Sequence, residues 1–149
     1  MYIANKNIDC HPFMDDTNET YGCIILDTRD RILLVKSTTK LSFPKGSRKR
    51  AETGEECAIR EVWEETGLDL SNTILGLSKR LVRGRYYFIR LPCVFESYKL
   101  CPQPKEKGQV CWMKLDTFAK LSPDECNIDI RLCLEKMNII TNRLTSPTQ

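Results

Sequence analysis

Residues 46–68 read GSRKRAETGEECAIREVWEETGL, a basic loop that runs into a segment with strong helix signals. Thr53 is a good N-cap with Glu56 three residues later, which is the pattern of a capping box, and Gly67 is a natural helix stop. These signals predict a helix over Gly54–Thr66. The rest of the fold has to be arranged around this central helix.

Strand signals occur on both sides of the predicted helix. Thr20–Leu26 and Arg31–Lys36 are rich in apolar and β-branched residues and flank a turn at 27–30, so they predict a hairpin. Residues 41–43 predict a short extended piece that Pro44 ends, and a basic loop follows it. Beyond the helix, the predicted strands are residues 74–82, 85–98 and 109–113, with a loop at 101–108.

The C-terminal third predicts helices. Residues 116–121 predict one or two helical turns, and residues 122–125 (Ser-Pro-Asp-Glu) form a second capping box with proline at the first helical position. This box predicts the start of a C-terminal helix with an apolar stripe at spacings of three and four. The stripe consists of Cys126, Ile130, Cys133, Met137 and Ile140. Residues 1–18 predict a loose arm, and 145–149 a frayed tail.

The order of these elements predicts an α+β fold with strands before and after one central helix. A length of 149 residues predicts a single domain over 1–149. With 41% hydrophobic and 29% charged residues, the composition argues against a disordered chain. No apolar stretch approaches the ~20 residues that a membrane span needs.

Eight cysteines invite a disulfide interpretation, but the context favours reduced thiols. No Cys-x-x-Cys pair occurs and the chain has one histidine, which argues against a zinc site. Cys23 and Cys93 lie in apolar runs, as expected of small buried hydrophobic residues. The first residues lack the basic and apolar regions of a signal peptide, so we expect a protein of the cytoplasm or nucleus.

Three glutamates crowd one turn of the central helix. Glu61 faces both Glu64 and Glu65, and like charges at this spacing repel each other by a few tenths of a kcal/mol, roughly, per pair. Divalent cations would neutralise such a cluster, and oxygen ligands suit Mg²⁺ or Mn²⁺. A solvated acidic face explains the same spacing, so the three residues alone leave both interpretations open.

The wider segment resembles the Nudix box. That signature is Gly, five residues, Glu, seven residues, Arg-Glu, an aliphatic residue, one residue, Glu-Glu, one residue, Gly, an aliphatic residue. All nine fixed or class-restricted positions are filled at the right spacing: Gly46, Glu52, Arg60, Glu61, Val62, Glu64, Glu65, Gly67 and Leu68. The resemblance implies a Nudix-like α/β/α sandwich with a mixed central sheet, a catalytic loop-helix and a C-terminal helix.

The resemblance also implies roles for the box residues in cleaving a diphosphate linkage with Mg²⁺ or Mn²⁺. Glu61, Glu64 and Glu65 would bind the metal ions, and Glu52 would support them from the preceding loop. Arg60 would hold the carboxylates in place through charge-assisted hydrogen bonds. Gly46 would allow its backbone carbonyl to approach a metal ion.

A general base is a further requirement of this chemistry. Glu106 precedes Trp112 by six residues, a spacing that resembles the loop glutamate of the mRNA-decapping subfamily. A charged loop residue among lysines explains Glu106 equally well. Glu96 is a weaker candidate for the same role.

The flanking residues point to a substrate. Residues 43–46 (Phe-Pro-Lys-Gly) and 57–61 (Cys-Ala-Ile-Arg-Glu) resemble the mRNA-decapping group, which implies a phosphorylated substrate such as capped RNA. Basic residues would then line a path for its backbone, through salt-sensitive contacts. They are Lys45, Arg48, Lys49, Arg83 and Arg85. Tyr86, Tyr87 or Trp112 could stack on a base, although strand aromatics are more often buried.

Two departures keep other substrates open. The eukaryotic decapping subunit carries a helical regulatory domain before its Nudix domain, and only about 20 residues precede the predicted fold in this sequence. The basic helix that follows the domain there is not evident here. Hydrolases of diphosphoinositol polyphosphates or dinucleoside polyphosphates are therefore an alternative. A non-catalytic Nudix binding module is a third, although such modules usually lack one or more of the box glutamates.

Overall fold

The computed structural model describes residues 19–94, 100 and 108–145, with side chains up to residue 137. Its strands are β1 (Thr20–Leu26), β2 (Arg31–Lys36), β3 (Leu41–Ser42), β4 (Lys45–Ser47), β5 (Ser78–Arg80), β6 (Arg85–Arg90) and β7 (Gln109–Lys114). Its helices are α1 (Gly54–Thr66), α2 (Leu115–Phe118) and α3 (Ile128–Thr145), with a 3₁₀ turn at Pro123–Glu125. The predicted arm, Glu96 and Glu106 lie outside the described residues.

The strands form one mixed sheet in the order β3-β2-β1-β6-β5. β1 runs parallel to β6 and antiparallel to β2, whereas β7 pairs with β2 along its whole length. β4 pairs with the start of β1, so Gly22 lies opposite Lys45 on one side and opposite Tyr86 on the other. The beginning of β1 is therefore the point where the loop before α1 joins the sheet.

Alternation of side chains along the strands produces two hydrophobic clusters, one on each face of the sheet. Tyr21, Cys23 and Ile25 of β1 contribute to the cluster that α1 covers with Ala58 and Val62. The other cluster combines β1, β2 and β6 side chains with residues of α2 and α3. Its helical members are Phe118, Ile130 and Leu134. These layers confirm the predicted α/β/α sandwich.

Local signals around α1 and the first hairpin are confirmed. The helix spans Gly54–Thr66 as predicted, and both halves of its capping box are formed. β1 and β2 have the predicted limits, and β7 extends one residue further than predicted. Among described residues, no helix is both long and apolar enough to cross a bilayer.

Two long strand predictions were wrong in extent. Only Ser78–Arg80 of the predicted strand 74–82 pairs with β6, and Ile74 and Leu77 are 94% and 82% exposed. β6 ends at Arg90, which is also its last residue paired with β1. β1 ends at Leu26, so it offers no further residue with which the chain after Arg90 could pair. Pro92 also has no amide hydrogen to donate to a neighbouring strand. Residues 91–94 are therefore not a strand, and 95–98 lie outside the described residues.

Two boundary predictions also need correction. The basic loop expected after Pro44 begins with a strand, because Lys45–Ser47 pairs with β1. The capping box at Ser122 exists, but it opens the 3₁₀ turn rather than the C-terminal helix. Cys126 is extended and buried, so the chain must restart a helix after it, and Asn127 caps the Ile130 amide through its side-chain oxygen. α3 therefore begins at Ile128.

Candidate active site

The loop-helix unit places its carboxylates next to the start of β1. Thr53 and Glu56 cap α1 reciprocally, and Gly67 ends it with a left-handed backbone (φ 82°). Cys57, Ala58 and Val62 are fully buried against the sheet. Because these residues fix the rotation of the helix, the side chains of Arg60, Glu61, Glu64 and Glu65 emerge along its partly exposed sides.

Arg60 is the centre of a carboxylate cluster. Its Nε and Nη2 donate to the two oxygens of Glu52, at 2.6 and 2.9 Å. Its Nη1 donates to Glu61 at 2.8 Å and to Glu64 at 3.3 Å. Nη2 also donates to the Ser47 carbonyl at 3.0 Å. One guanidinium therefore binds the loop before α1 and two of its crowded glutamates.

The charges of this cluster stabilise one another. Hydrogen bonds to Glu52 are the largest cause of a raised pKa for Arg60, so the guanidinium stays protonated. Burial alone would raise the pKa of Glu52, but hydrogen bonds from Arg60 and from the Lys49 amide bring that pKa below its ordinary value. Arg60 therefore keeps Glu52 ionised, and its positive charge offsets part of the repulsion among the three glutamates that it binds.

Glu65 is held separately from the Arg60 cluster. Its Oε1 accepts a hydrogen bond from the backbone amide of Lys45 at 2.9 Å. Lys45 belongs to β4, so this bond joins the C-terminal end of α1 to the edge of the sheet. Glu65 thus stands at the boundary between the helix and the surface beyond β4.

Gly46 is required by the position of Glu61. A Cβ atom at residue 46 would lie 2.0 Å from Cδ of Glu61 and 2.1 Å from its Oε1. The carboxylate therefore fills the space that a side chain would take. The Gly46 carbonyl accepts a long hydrogen bond from the Cys57 thiol, with Sγ at 3.5 Å. The approach of the Gly46 carbonyl to a metal ion stays a prediction, and the structure adds the Glu61 carboxylate as a second reason for glycine at this position.

The donor chemistry of this site fits a hard divalent cation. Its oxygen donors are the carboxylates of Glu52, Glu61, Glu64 and Glu65, with the Gly46 carbonyl beside them. Within the described ranges, no three histidine, cysteine, aspartate or glutamate side chains are placed to hold a metal ion as they stand. Arg60 donates hydrogen bonds to oxygens of Glu52, Glu61 and Glu64. To bind a metal ion, the side chains of Glu61 and Glu64 would therefore have to rotate towards it. Their side chains, 13% and 14% exposed, can be reached from solvent.

The structure separates the five basic residues predicted to bind substrate. Arg48 is 7% exposed and donates to the carbonyl of Glu52 at 3.0 Å, with its Nε 3.4 Å from a Glu19 oxygen. We therefore do not propose that Arg48 binds substrate. Lys49 is exposed, and Arg85 donates to Ser78 at 2.9 Å between β5 and β6. Lys45 and Arg83 line one common groove.

That groove contains residues that sequence reasoning missed. It has a volume of about 540 Å³, and Lys40, Asn127 and Arg131 line it beside Lys45 and Arg83. No local signal could have grouped them, because they come from the ends of different strands and from α3. The aromatic residues proposed to stack on bases are not available there. Tyr86 and Tyr87 are buried in the core, and Trp112 packs against it under the guanidinium of Arg31.

Comparison with curated proteins finds similarity to mRNA-decapping proteins. The chain is 38% identical over 104 residues to the mRNA-decapping enzyme subunit 2 of Arabidopsis thaliana, covering 64% of this chain and 27% of that protein. It is 36% identical over 117 residues to the mRNA decapping complex subunit 2 of Schizosaccharomyces pombe, covering 68% of this chain and 15% of that protein. The chain thus spans about a quarter or less of these relatives.

Solved structures with the same fold include a NUDIX family hydrolase from Clostridium perfringens. The TM-score is 0.59 at 18% identity, covering 84% of this chain and 99% of that one. An Ap4A hydrolase from Caenorhabditis elegans has a TM-score of 0.58 at 16% identity, with the same coverage of both chains. The NUDIX domain family model matches residues 16–131, which include every box residue. From its loop-helix unit, its sheet and this match, the chain belongs to the Nudix family.

Proposed function

We propose that this chain is a Nudix pyrophosphohydrolase that cleaves a diphosphate linkage at the 5′ end of an RNA, as in mRNA decapping. The observation that carries the proposal is the grouping of four glutamates around Arg60 and the Lys45 amide, directly beside a cationic groove. An enzyme that cleaves a diphosphate linkage at an RNA end would use both features. The glutamates suit a metal ion, and the groove suits the anionic chain attached to the reacting phosphates.

Nudix hydrolases generally use divalent metals, and we assign Mg²⁺ or Mn²⁺ to Glu61, Glu64 and Glu65. When bound, such an ion would neutralise the phosphate oxygens and lower the pKa of an attacking water. Arg60 orients the carboxylates of Glu61 and Glu64 through its hydrogen bonds, and Glu52 anchors Arg60 from the loop. Gly46 leaves the space in which the Glu61 carboxylate lies.

Glu106 remains our candidate for the general base. It lies outside the described residues, so its role depends on the resemblance to the decapping loop glutamate. Substituting Glu106→Gln should lower kcat by about 10²- to 10⁴-fold, the usual contribution of a positioned base. An unchanged kcat would show that another residue is the general base, and Glu96 would be the next candidate.

The names of the relatives support an RNA substrate over a small polyphosphate. An m7GpppN-mRNA hydrolase of Caenorhabditis elegans, 31% identical over 118 residues, adds to the two decapping proteins above. The Phe43-Pro44-Lys45-Gly46 segment has a defined place in the structure. Phe43 and Pro44 are buried, and Lys45 faces the groove while its amide holds Glu65.

A substrate panel tests the proposal. Cap-labelled RNA, 5′-triphosphate RNA, free cap analogue, diadenosine polyphosphate and a diphosphoinositol phosphate are each incubated with Mg²⁺ or Mn²⁺. We expect capped nucleoside diphosphate to be released from RNA, with little action on free cap analogue. Preferential cleavage of the small molecules would instead identify a small-polyphosphate hydrolase. Absence of cleavage in every reaction would favour a binding module.

We also propose a reducing compartment, the cytoplasm or nucleus. The six cysteines in the described part of the chain are free thiols. Burial raises the pKa of Cys23 and of Cys57 to about 12, so neither thiol is a reactive nucleophile at neutral pH. Cell fractionation of the tagged protein tests this assignment, and recovery from a secreted fraction would contradict it.

A further inference from the structure

The groove beside Glu65 brings together four cations from separate elements. Lys40 and Lys45 come from the region of β3 and β4, Arg83 from the turn between β5 and β6, and Arg131 from α3. A second cavity of about 290 Å³ shares Lys40 and Lys45 with this groove and is also lined by Glu65. The two cavities therefore form a path from the carboxylates to Arg131. Like charges along such a path favour an anionic ligand.

Arg131 supplies an independent indication of a ligand. Its Nε is buried, and the described part of the chain offers it no hydrogen-bond partner. Arg131 as a whole is half-buried and lines the groove, so an anion bound to the guanidinium from the groove side would offset the free energy that the unpaired Nε costs. Phosphate oxygens are acceptors that arginine binds with favourable geometry.

A buried carboxylate holds the arginine side of this groove in place. Asp129 is fully buried, and its two oxygens accept hydrogen bonds from the Tyr86 hydroxyl at 2.5 Å and from the Arg83 backbone amide at 2.7 Å. One side chain thus connects α3, strand β6 and the turn that carries Arg83. Arg131 lies two residues further along α3.

The hydrogen bond between Tyr86 and Asp129 lies at a defined distance from the Nudix box, which begins beside Lys45. Tyr86 lies opposite Gly22, and Gly22 lies opposite Lys45, so the three residues form one row across β6, β1 and β4. Two strand spacings separate Tyr86 from Lys45, or about 10 Å. The Lys45 amide in turn holds Glu65. The positions of the arginines are therefore fixed relative to the glutamate through the sheet.

We propose that Tyr86 and Asp129 are a positioning pair that sets Arg83 and Arg131 to bind successive phosphates of the substrate beyond the scissile linkage. The pair itself touches no substrate, because both side chains are buried. Arg83, Arg131, Lys40 and Lys45 contact the phosphates. This inference rests on the proposed function, since it names the substrate class as a phosphodiester chain attached to the reacting diphosphate.

Binding of a product-like RNA tests the groove apart from catalysis. A fluorescent 12-nucleotide RNA with a 5′-monophosphate has no diphosphate linkage, so its Kd can be measured with Mg²⁺ over a salt series. We expect Arg131→Ala and Arg83→Ala each to weaken binding by about tenfold and to reduce the salt slope by about 1. Unchanged Kd values would overturn the groove assignment.

Arg29→Ala provides a control that removes the same charge elsewhere. Arg29 is exposed in the turn after β1, whereas the groove is at the start of β1, about 20 Å away along the strand. Its Kd should equal that of the unmodified chain. A loss as large as that of Arg131→Ala would show a general effect of net charge and contradict a defined groove. Competition by tripolyphosphate as strong as by unlabelled RNA would contradict the phosphodiester chain as substrate class.

A double-mutant cycle separates positioning from simple stability. Tyr86→Phe removes the hydroxyl and keeps the ring, and we expect it to weaken RNA binding about threefold or more because the arginines lose their fixed place. In combination with Arg131→Ala, its effect on Kd should largely disappear. A lower melting temperature with unchanged Kd, or fully additive effects on Kd, would make the pair purely structural. Loss of hydrolysis with these binding results intact would reject the proposed reaction alone.

Discussion

The Arg60 cluster and the Arg131 groove are neighbouring sites that the chain assembles in opposite ways. The cluster is local, since its contacts join residues between 1 and 13 positions apart. The link that shapes the groove joins Tyr86 and Arg83 to Asp129, which are 43 and 46 positions away. One capped helix therefore suffices to specify the reactive groups, whereas the proposed substrate path depends on where α3 packs.

The largest expected effect is on the local cluster. Glu64→Gln or Glu65→Gln should each lower kcat by at least about 10³-fold, because a neutral amide is a poor ligand for a hard cation. Circular dichroism and the melting temperature should remain close to those of the unmodified chain. Glu55→Gln on the exposed first turn of the same helix is the matched control and should retain full activity. A near-normal rate for either box variant would reject the metal assignment.

Two glycine substitutions separate an effect on catalysis from an effect on packing. Gly46→Ala would place a Cβ 2.0 Å from Cδ of Glu61, the movable end of a side chain, so we expect about a 10²-fold loss of kcat with a small change in stability. Gly22→Ala would place its Cβ 2.1 Å from the Pro44 carbonyl oxygen, which belongs to the backbone. It should destabilise the fold by about 1–3 kcal/mol.

Kinetics and urea unfolding of the two alanine variants measure both quantities. Equal losses of stability would show that Gly46 serves packing, as Gly22 does, rather than the position of Glu61.

Arg48 and Lys49 are adjacent basic residues with different expected roles. Arg48→Ala should lower the free energy of unfolding by about 1–2 kcal/mol, because the Glu52 carbonyl loses its buried donor. Lys49→Ala should change it by less than about 0.5 kcal/mol, as for most exposed positions. Urea midpoints of the two variants test the contrast. If the Arg48→Ala variant were as stable as the unmodified chain but bound RNA weakly, Arg48 would be a substrate-binding residue after all.

The smallest expected effect is a pH dependence far from both sites. Burial opposes ionisation of Asp27, but hydrogen bonds from Arg31 and Arg29 lower its pKa below the ordinary 3.8. A carboxylate with a lowered folded-state pKa stabilises the fold above its unfolded pKa, and this stability disappears as the pH falls through the folded value. The unfolding free energy of the unmodified chain should therefore decrease below about pH 4, and the difference from Asp27→Asn should shrink there. A constant difference down to pH 2.5 would contradict this.

Much of the fold and the reactive cluster could be predicted from the sequence because their determinants are local. The capping box at Thr53, the stop at Gly67 and the hydrophobic pattern of β1 each act within a few residues. The predicted strands 74–82 and 85–98 were too long because strand length depends on the partner, and β1 ends at Leu26. The Ser122 capping box was correct as a motif and wrong as a helix start, since a cap is formed equally well by a 3₁₀ turn.

The candidate site shows the same division. The residues of the box were predictable, because their spacing on one helix places them together. The burial of Arg48 was not predictable, since it depends on Glu19 and on backbone carbonyls that the fold brings near. Lys40 and Arg131 carry no local motif, and the packing of α3 against the sheet, which Asp129 links to Tyr86, brings them together at the groove.

Whether this chain is an RNA-decapping hydrolase is decided by the product that it releases from cap-labelled RNA in Mg²⁺, measured beside its Glu64→Gln variant. We expect capped nucleoside diphosphate from the unmodified chain and none from the variant. Equal release by both proteins, or none by the unmodified chain with any metal, would contradict it.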